Sequence, residues 1–280
     1  MKVSKMPTGK ARLTNQGNLS ILFLGAGAAF TKTLNDTNIL VVKGQDHLMV
    51  DCGTKTPLAL HKAGIDVSAI QNFFITHSHA DHIGGLEEVM MKGRYVARKK
   101  PGILITPEYQ EILWEKSLAG GARHAEGQGL SFNDFWDVTR PKLLEDAPRE
   151  TWQAQIGSID VKMPRTMHTP DSAASWEDSA WSCGLVLDER IMFTSDTRFD
   201  PDLLISFDQW LGLDYIFHDC QLFTAGVHAS IQELSTLPAE LRSKIILMHY
   251  GDNWKEFKHH ASEYGFHSWA QEGHLYCFDS

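Results

Sequence analysis

No apolar run in this 280-residue chain approaches the ~20 residues that a membrane-crossing helix requires. The longest, residues 20–27 and 244–248, have the length of buried strands. Residues 1–18 carry lysine and arginine but lack the apolar segment of a secretory leader, so the cytoplasm is the expected compartment. Cysteine is sparse: Cys52, Cys183, Cys220 and Cys277 show no CxxC spacing, which argues against a disulfide framework and against a thiolate zinc site. Positive charge is also short. With 26 Lys and Arg against 35 Asp and Glu, the formal net charge is −9, which disfavours a broad grip on nucleic-acid phosphates. The local exception, Lys92, Arg94, Arg98, Lys99 and Lys100, reads as a solvated face and is given no role. There is no low-complexity tract and no internal repeat. At 42% hydrophobic and 22% charged residues the mix is that of an ordinary globular protein, expected to form one domain over residues 1–280 with a flexible stretch to about residue 18.

What is present is an alternation of short apolar runs with turn residues. Residues 20–24, 38–43 and 47–50 read as strands of an opening meander, 57–63 as a short helix, and 72–75 as a buried strand. Residues 82–91 read as a helix with Ile83, Leu86, Val89 and Met90 on its apolar face. Further strands are expected over 156–163, 183–187, 191–194, 214–217 and 244–248, each ending near a histidine or aspartate. That recurrence matters because αβ sheets gather ligands at strand ends. Residues 119–150, with four glycines and the aromatic patch Phe132, Phe135 and Trp136, lack a steady period and are expected to be an insertion or lid.

The chemistry concentrates at His77-Ser78-His79-Ala80-Asp81-His82, directly after an apolar strand and before a helix. Three imidazoles and a carboxylate within six residues suit zinc-like cations, and alternate residues on an extended turn can address one ion while the next pair addresses another. Two adjacent divalent ions are implied, zinc first, with manganese or iron as alternatives according to supply. Read singly, the remaining candidates have plain structural alternatives. Asp51 suits a turn before Gly53, Asp196 suits a helix cap, and an isolated His168, His218 or His228 suits a hydrogen-bonded structural role.

The HxHxDH pattern resembles the second motif of the metallo-β-lactamase superfamily, whose fold is a four-layer αββα sandwich of the α/β class. The resemblance covers most of the chain. Asp51-Cys52-Gly53 resembles the first motif, His168 the third, Asp196 the fourth and His249 the fifth. It implies that His77, His79 and His168 hold one metal, that Asp81, His82 and His249 hold the other, that Asp196 bridges them, and that Asp51 supports the metal loop. A metal-bridging hydroxide would then be available near neutral pH for hydrolysis of a phosphate ester.

Within the superfamily, Leu24-Gly25-Ala26-Gly27-Ala28-Ala29-Phe30 lacks the third small residue of a dinucleotide loop, so no nucleotide cofactor is expected. It resembles instead the opening of the ribonuclease Z-like phosphodiesterases. So does Phe217-His218-Asp219-Cys220 followed by Val227-His228-Ala229-Ser230, a pair of segments that lactamases and glyoxalases lack. The resemblance implies a catalytic set of Asp81, His228 as proton donor to the leaving oxygen, and His218 in support of the metal shell. Two departures stand out. Only 27 residues separate His168 from Asp196, too few for the basic arm of the transfer-RNA-processing members, and Phe193 stands where those enzymes commonly carry a carboxylate. A flavodiiron role is excluded, because that branch usually has Glu where this chain has His79. The expected function is therefore a dinuclear phosphodiesterase acting on a small phosphodiester such as a cyclic nucleotide. The alternatives are a transfer-RNA 3′-processing endonuclease and a non-catalytic metal- or partner-binding module. Trp176 and Trp181 read as packing, no membrane contact is expected, and the resemblance implies a homodimer.

Overall fold

A computed structural model describes residues 1–279. Sixteen strands form two eight-stranded sheets. The first runs in the order β1 (Lys2–Lys5), β16 (His274–Cys277), β2 (Ser20–Phe23), β3 (Ile39–Lys43), β4 (Asp46–Val50), β5 (Asn72–Phe74), β6 (Gly102–Leu104), β7 (Asp137–Thr139). The second runs β15 (Ser268–Trp269), β14 (Ile245–Met248), β13 (Tyr215–Asp219), β12 (Ile191–Phe193), β11 (Leu185–Leu187), β10 (Ile159–Pro164), β9 (Thr151–Ile156), β8 (Lys142–Leu143). The sheets pack face to face through aromatic side chains. Phe23 of β2 meets Phe217 of β13 at 5.0 Å between centroids and Phe193 of β12 at 6.5 Å. Central strands such as β2, β12 and β14 are buried along their whole length. This is why they read as unbroken apolar runs: helices cover the face turned away from the other sheet, completing the expected αββα sandwich.

Strand direction sets where the functional residues gather. β4, β5, β6 and β7 are mutually parallel, as are β12, β13, β14 and β15. β10 is antiparallel to β11, which is antiparallel to β12, so β10 ends on the same rim as β12. The carboxyl ends of β4 and β5 in one sheet, and of β10, β12, β13 and β14 in the other, therefore each collect along one edge of their sheet.

Four local features differ from the expected elements. The helix expected over 82–91 is two helices, Ala80–Ile83 and Leu86–Met91, interrupted at Gly84 and Gly85. There the backbone presses against the loop after β4: a Cβ on Gly84 would lie 2.3 Å from Thr54 Oγ1, and one on Gly85 would lie 2.8 Å from the Gly53 carbonyl. The strand expected over 156–163 straddles a hairpin, because Gly157 takes φ of +58° and turns β9 into β10. Residues 119–150 contribute the edge strands β7 and β8, one to each sheet, and Phe132, Phe135 and Trp136 are buried in the core. At the other end, the stretch expected to be flexible to about residue 18 contributes β1, paired along its length with β16. The four cysteines are free thiols, and no helix among the described residues is long and apolar enough to cross a membrane.

Candidate metal centre

The loops leaving these strand ends bring nine of the ten expected site residues together. His77, His79, His168 and Asp196 form one group of mutually close ligand atoms, and Asp81, His82, Asp196 and His249 a second, with all such atoms within 4.8 Å of one another in each. Asp196 belongs to both. Its Oδ2 lies 3.8 Å from His77 Nε2 and 3.9 Å from His168 Nε2 on one side, and 3.3 Å from both His82 Nε2 and His249 Nε2 on the other. Within the first group His79 Nδ1 lies 3.0 Å from His77 Nε2 and 3.2 Å from His168 Nε2. Ligands at ~2.0–2.1 Å around a tetrahedral zinc-type ion are themselves about 3.3 Å apart, so this spacing fits such an ion.

Two of the rings are turned by a bond on their far side. His82 Nδ1 donates to Asp51 Oδ2 at 2.7 Å and His168 Nδ1 donates to the Val227 carbonyl at 2.9 Å, leaving both Nε2 atoms to face the centre. Asp51 is fully buried. It also accepts from the Thr76 backbone at 2.8 Å and the Thr76 hydroxyl at 2.9 Å, so it ties the loop after β4 to the motif loop. Partners of this kind fix ligand orientation and tautomer. Gly53 makes the tie possible, since a Cβ there would lie 1.9 Å from the Asp81 carbonyl.

Two buried atoms, His82 Nε2 and Asp196 Oδ1, have no hydrogen-bond partner among the described residues. A buried polar atom without a partner is costly, and here both belong to groups whose donors suit a divalent cation. Burial pushes His77 and His79 below the ordinary imidazole range and His168 down to about 4, keeping these rings neutral and free to coordinate. Burial opposes charge on His82 and His249 as well, but Asp196 and its neighbouring carboxylates outweigh it and hold both well above that range. The carboxylates thus draw positive charge into a buried pocket. The donor set fits the two divalent ions that the motif implies.

His228 stands beside this set with its ring partly open to solvent. Its Nδ1 donates to Asp219 Oδ2 at 2.7 Å and lies 4.0 Å from Asp196 Oδ2. Burial would depress its pKa, yet the Asp219 carboxylate outweighs that and raises it. Asp219 is the residue that sequence reasoning missed. It lies at the end of β13, accepts from the Thr197 backbone at 3.0 Å, and places Oδ1 3.3 Å from His249 Nδ1. His218, expected in its place, does not join the cluster: it points from the other side of the strand, and its Nδ1 donates to the Asp219 carbonyl at 2.6 Å. Adjacent strand residues face opposite ways, so only one of the two could reach the centre. The signal available was that alternation, counted back from the strand end.

Three residues around the centre, Asp51, Ser195 and His249, hold left-handed backbone with φ of 62°, 54° and 58°. Non-glycine residues rarely adopt this conformation, and such strain clusters at functional sites. Elsewhere, Trp181 stacks on Tyr109 as packing, 5.5 Å between centroids. In the basic cluster Arg94 is paired with Glu126 at 2.6 Å and Lys92 with Asp66 at 2.8 Å.

Comparison with known proteins agrees with this architecture. A family model described as Anti-Pycsar protein Apyc1 matches residues 19–276. The Anti-Pycsar protein Apyc1 of Paenibacillus sp. (strain J14) is 37% identical over 242 residues, 86% of this chain and 92% of that protein. The protein of that name from Bacillus phage BSP38 is 36% identical over 244 residues, 85% of this chain and 91% of that one. Among solved structures, the metallo-β-lactamase fold protein YhfI from Bacillus subtilis superposes with a TM-score of 0.65 at 14% identity, covering 93% of this chain and all of the other. The fold is thus the metallo-β-lactamase fold.

Proposed function

The chain belongs to the Anti-Pycsar protein Apyc1 family, and from that premise and the geometry of the centre we propose that it is a dinuclear metal-dependent phosphodiesterase that hydrolyses a small phosphodiester, a cyclic nucleotide in particular. The observation that carries the reading is the His228–Asp219 pair set 4.0 Å from the carboxylate shared by both ligand groups. A proton donor beside a metal cluster is what a poor, alkoxide-type leaving group demands. His77, His79 and His168 would hold one ion, Asp81, His82 and His249 the other, and Asp196 both, with zinc, or manganese or iron, as occupant. When bound, such ions supply Lewis acidity towards phosphate oxygens and acidify water.

The chain's own residues perform the rest. Asp51 holds the motif loop and His82 in register. Asp219 keeps a proton on His228 Nδ1 and orients the ring so that Nε2 faces the cleft. As water adds to phosphorus and the bond from phosphorus to the sugar oxygen breaks, His228 passes its Nε2 proton to that departing oxygen. The small cleft beside the centre, about 530 Å3, and the net charge of −9 favour a mononucleotide over a structured RNA.

The test is a substrate panel with metal-loaded protein: 3′,5′-cyclic nucleotides, precursor transfer RNA and a β-lactam. Fastest turnover of the cyclic nucleotides is expected. Faster cleavage of precursor transfer RNA, with a steep salt dependence, would transfer the protein to the endonuclease reading. Ions bound with no turnover on any substrate would leave only a binding module.

A further inference from the structure

Of the chain's fourteen phenylalanines, Phe30 and Phe223 are the two with strongly exposed rings, 89% and 66% exposed. Both line the same cleft, the one whose inner end is formed by His228 and His249. Leaving a large apolar side chain in water forgoes ~1.5–3 kcal/mol, so two such rings at one site call for a reason.

Neither ring is on a loosely held chain end. The turn bearing Phe30 is pinned by Asp252, whose carboxylate accepts from the Lys32 and Thr33 backbones at 2.8 and 3.0 Å and from the Thr33 hydroxyl at 2.6 Å. The Ala28 backbone donates to the Tyr250 carbonyl at 3.1 Å, tying the same turn to the segment that follows His249. The loop bearing Phe223 is closed by Gln221, whose Nε2 donates to the Ala225 carbonyl at 2.6 Å. These bonds have a second effect. They occupy the Asp252 carboxylate and the Gln221 amide, two of the polar groups on the rim, while Asn253 adds a further side-chain amide. Phe30 and Phe223 are the exposed aromatic side chains on that lining.

We propose that Phe30 and Phe223 are base-stacking residues: the nucleobase of the substrate seats against these rings while its phosphate lies at the metal centre. This rests on the phosphodiesterase reading and extends it to the part of the substrate that does not react. A cyclic mononucleotide has an aromatic plane attached through one sugar to the reacting phosphorus, and the cleft carries two exposed phenylalanines on the same lining as His228. Stacking reads the face common to all bases, so the two rings supply affinity and leave discrimination between bases to few contacts.

Binding energy from a remote, non-reacting part of the substrate, equal in ground and transition state, appears in KM. A base–aromatic stack is worth roughly 5- to 150-fold per ring by this reckoning. The experiment compares metal-loaded wild type with Phe30→Ala, Phe223→Ala, Phe30→Leu and Phe30→Trp on a 3′,5′-cyclic nucleotide and on the corresponding cyclic sugar phosphate without a base. The alanine and leucine variants are expected to raise KM for the nucleotide by that factor with kcat near wild type. KM for the base-free substrate should not move, and tryptophan should restore the wild-type value. An unchanged nucleotide KM, or an equal rise for the base-free substrate, would overturn the proposal. If wild type turns over neither substrate, the phosphodiesterase reading fails, and the slot is judged separately by fluorescence of Phe30→Trp in the metal-loaded protein. Saturable quenching by a nucleoside monophosphate, absent with ribose phosphate, upholds the slot, and no quenching removes it.

Discussion

Replacing Asp219 by asparagine probes the proposed general acid, His228, through the carboxylate that holds it. The carboxylate holds His228 Nδ1 at 2.7 Å, His249 Nδ1 at 3.3 Å and the Thr197 backbone N–H at 3.0 Å, all from a fully buried position. Asparagine preserves the shape and can still accept from Thr197, but one carbonyl oxygen cannot serve both imidazoles, and its NH2 meets N–H donors. Removing a partner of this kind costs about 10- to 100-fold in activity or metal affinity, or ~1.4–2.8 kcal/mol at ~1.4 kcal/mol per decade. For a general acid removed outright, as in His228→Ala, the loss is about 10²- to 10⁴-fold. Steady-state kinetics should be run on a cyclic nucleotide, whose leaving group is an alkoxide, and on a nitrophenyl ester, whose leaving group departs unassisted. Both variants should lose far more on the first, and the double variant should match His228→Ala alone, because the two residues act as a unit. The pH profile gives an independent check. The general acid must be protonated, so activity falls as pH rises through its pKa. Burial lowers that pKa and the Asp219 charge raises it by more, so Asp219→Asn should move the alkaline limb to lower pH. Equal losses on both esters, an additive double variant or an unmoved limb would refute the assignment.

Stripping the ions with a chelator should lower the melting temperature, and restoring zinc or manganese should recover it; a ligand at 100 times its dissociation constant adds ~2.7 kcal/mol to the folded state, and an unchanged melt would count against a built metal site. Asp196→Asn should reduce bound metal below two ions per chain by elemental analysis and depress turnover at least as far as the ~10- to 100-fold of an outer partner; full occupancy with normal turnover would remove Asp196 as the shared ligand. Gly53→Ala forces a Cβ to within 1.9 Å of the Asp81 carbonyl and should cost ~1–3 kcal/mol, a fall of several degrees in melting. Gly120→Ala, in a helix with no atom within 4 Å of the added carbon, should be neutral or stabilising by up to ~1 kcal/mol; a matching loss in both would mean that the contact at Gly53 is not the cause.

The core of the candidate ligand set was legible in the sequence because metal chemistry restricts residue type and the motif loop is contiguous: His77 to His82 stand out before any fold is known. Asp196 and His249 came from the resemblance to the fourth and fifth motifs of the superfamily, and the structure brings them close together. What stayed hidden depended on backbone direction or close approach. Choosing Asp219 over His218 required knowing which face of β13 is turned to the centre, which strand alternation gives only once the end of the strand is fixed. The break at Gly84–Gly85 is imposed by contact with residues 53–54, a tertiary constraint that the apolar period of Ile83, Leu86 and Val89 does not register. Gly157 was a visible turn residue, but the apolar residues on both sides of it read equally well as one strand.

Each ligand group takes members from both sheets: His77 and His79 follow β5, His168 follows β10, and Asp196, shared by the two groups, follows β12. The centre therefore works like the jaws of a calliper whose frame is the sandwich itself. Sliding one sheet over the other would change the spacing within both candidate ligand groups at once. What holds the sheets against such shear is the interlocked packing of Phe23 with Phe193 and Phe217. The spacing of the candidate ligands is thus set partly by phenylalanines that are not themselves among them.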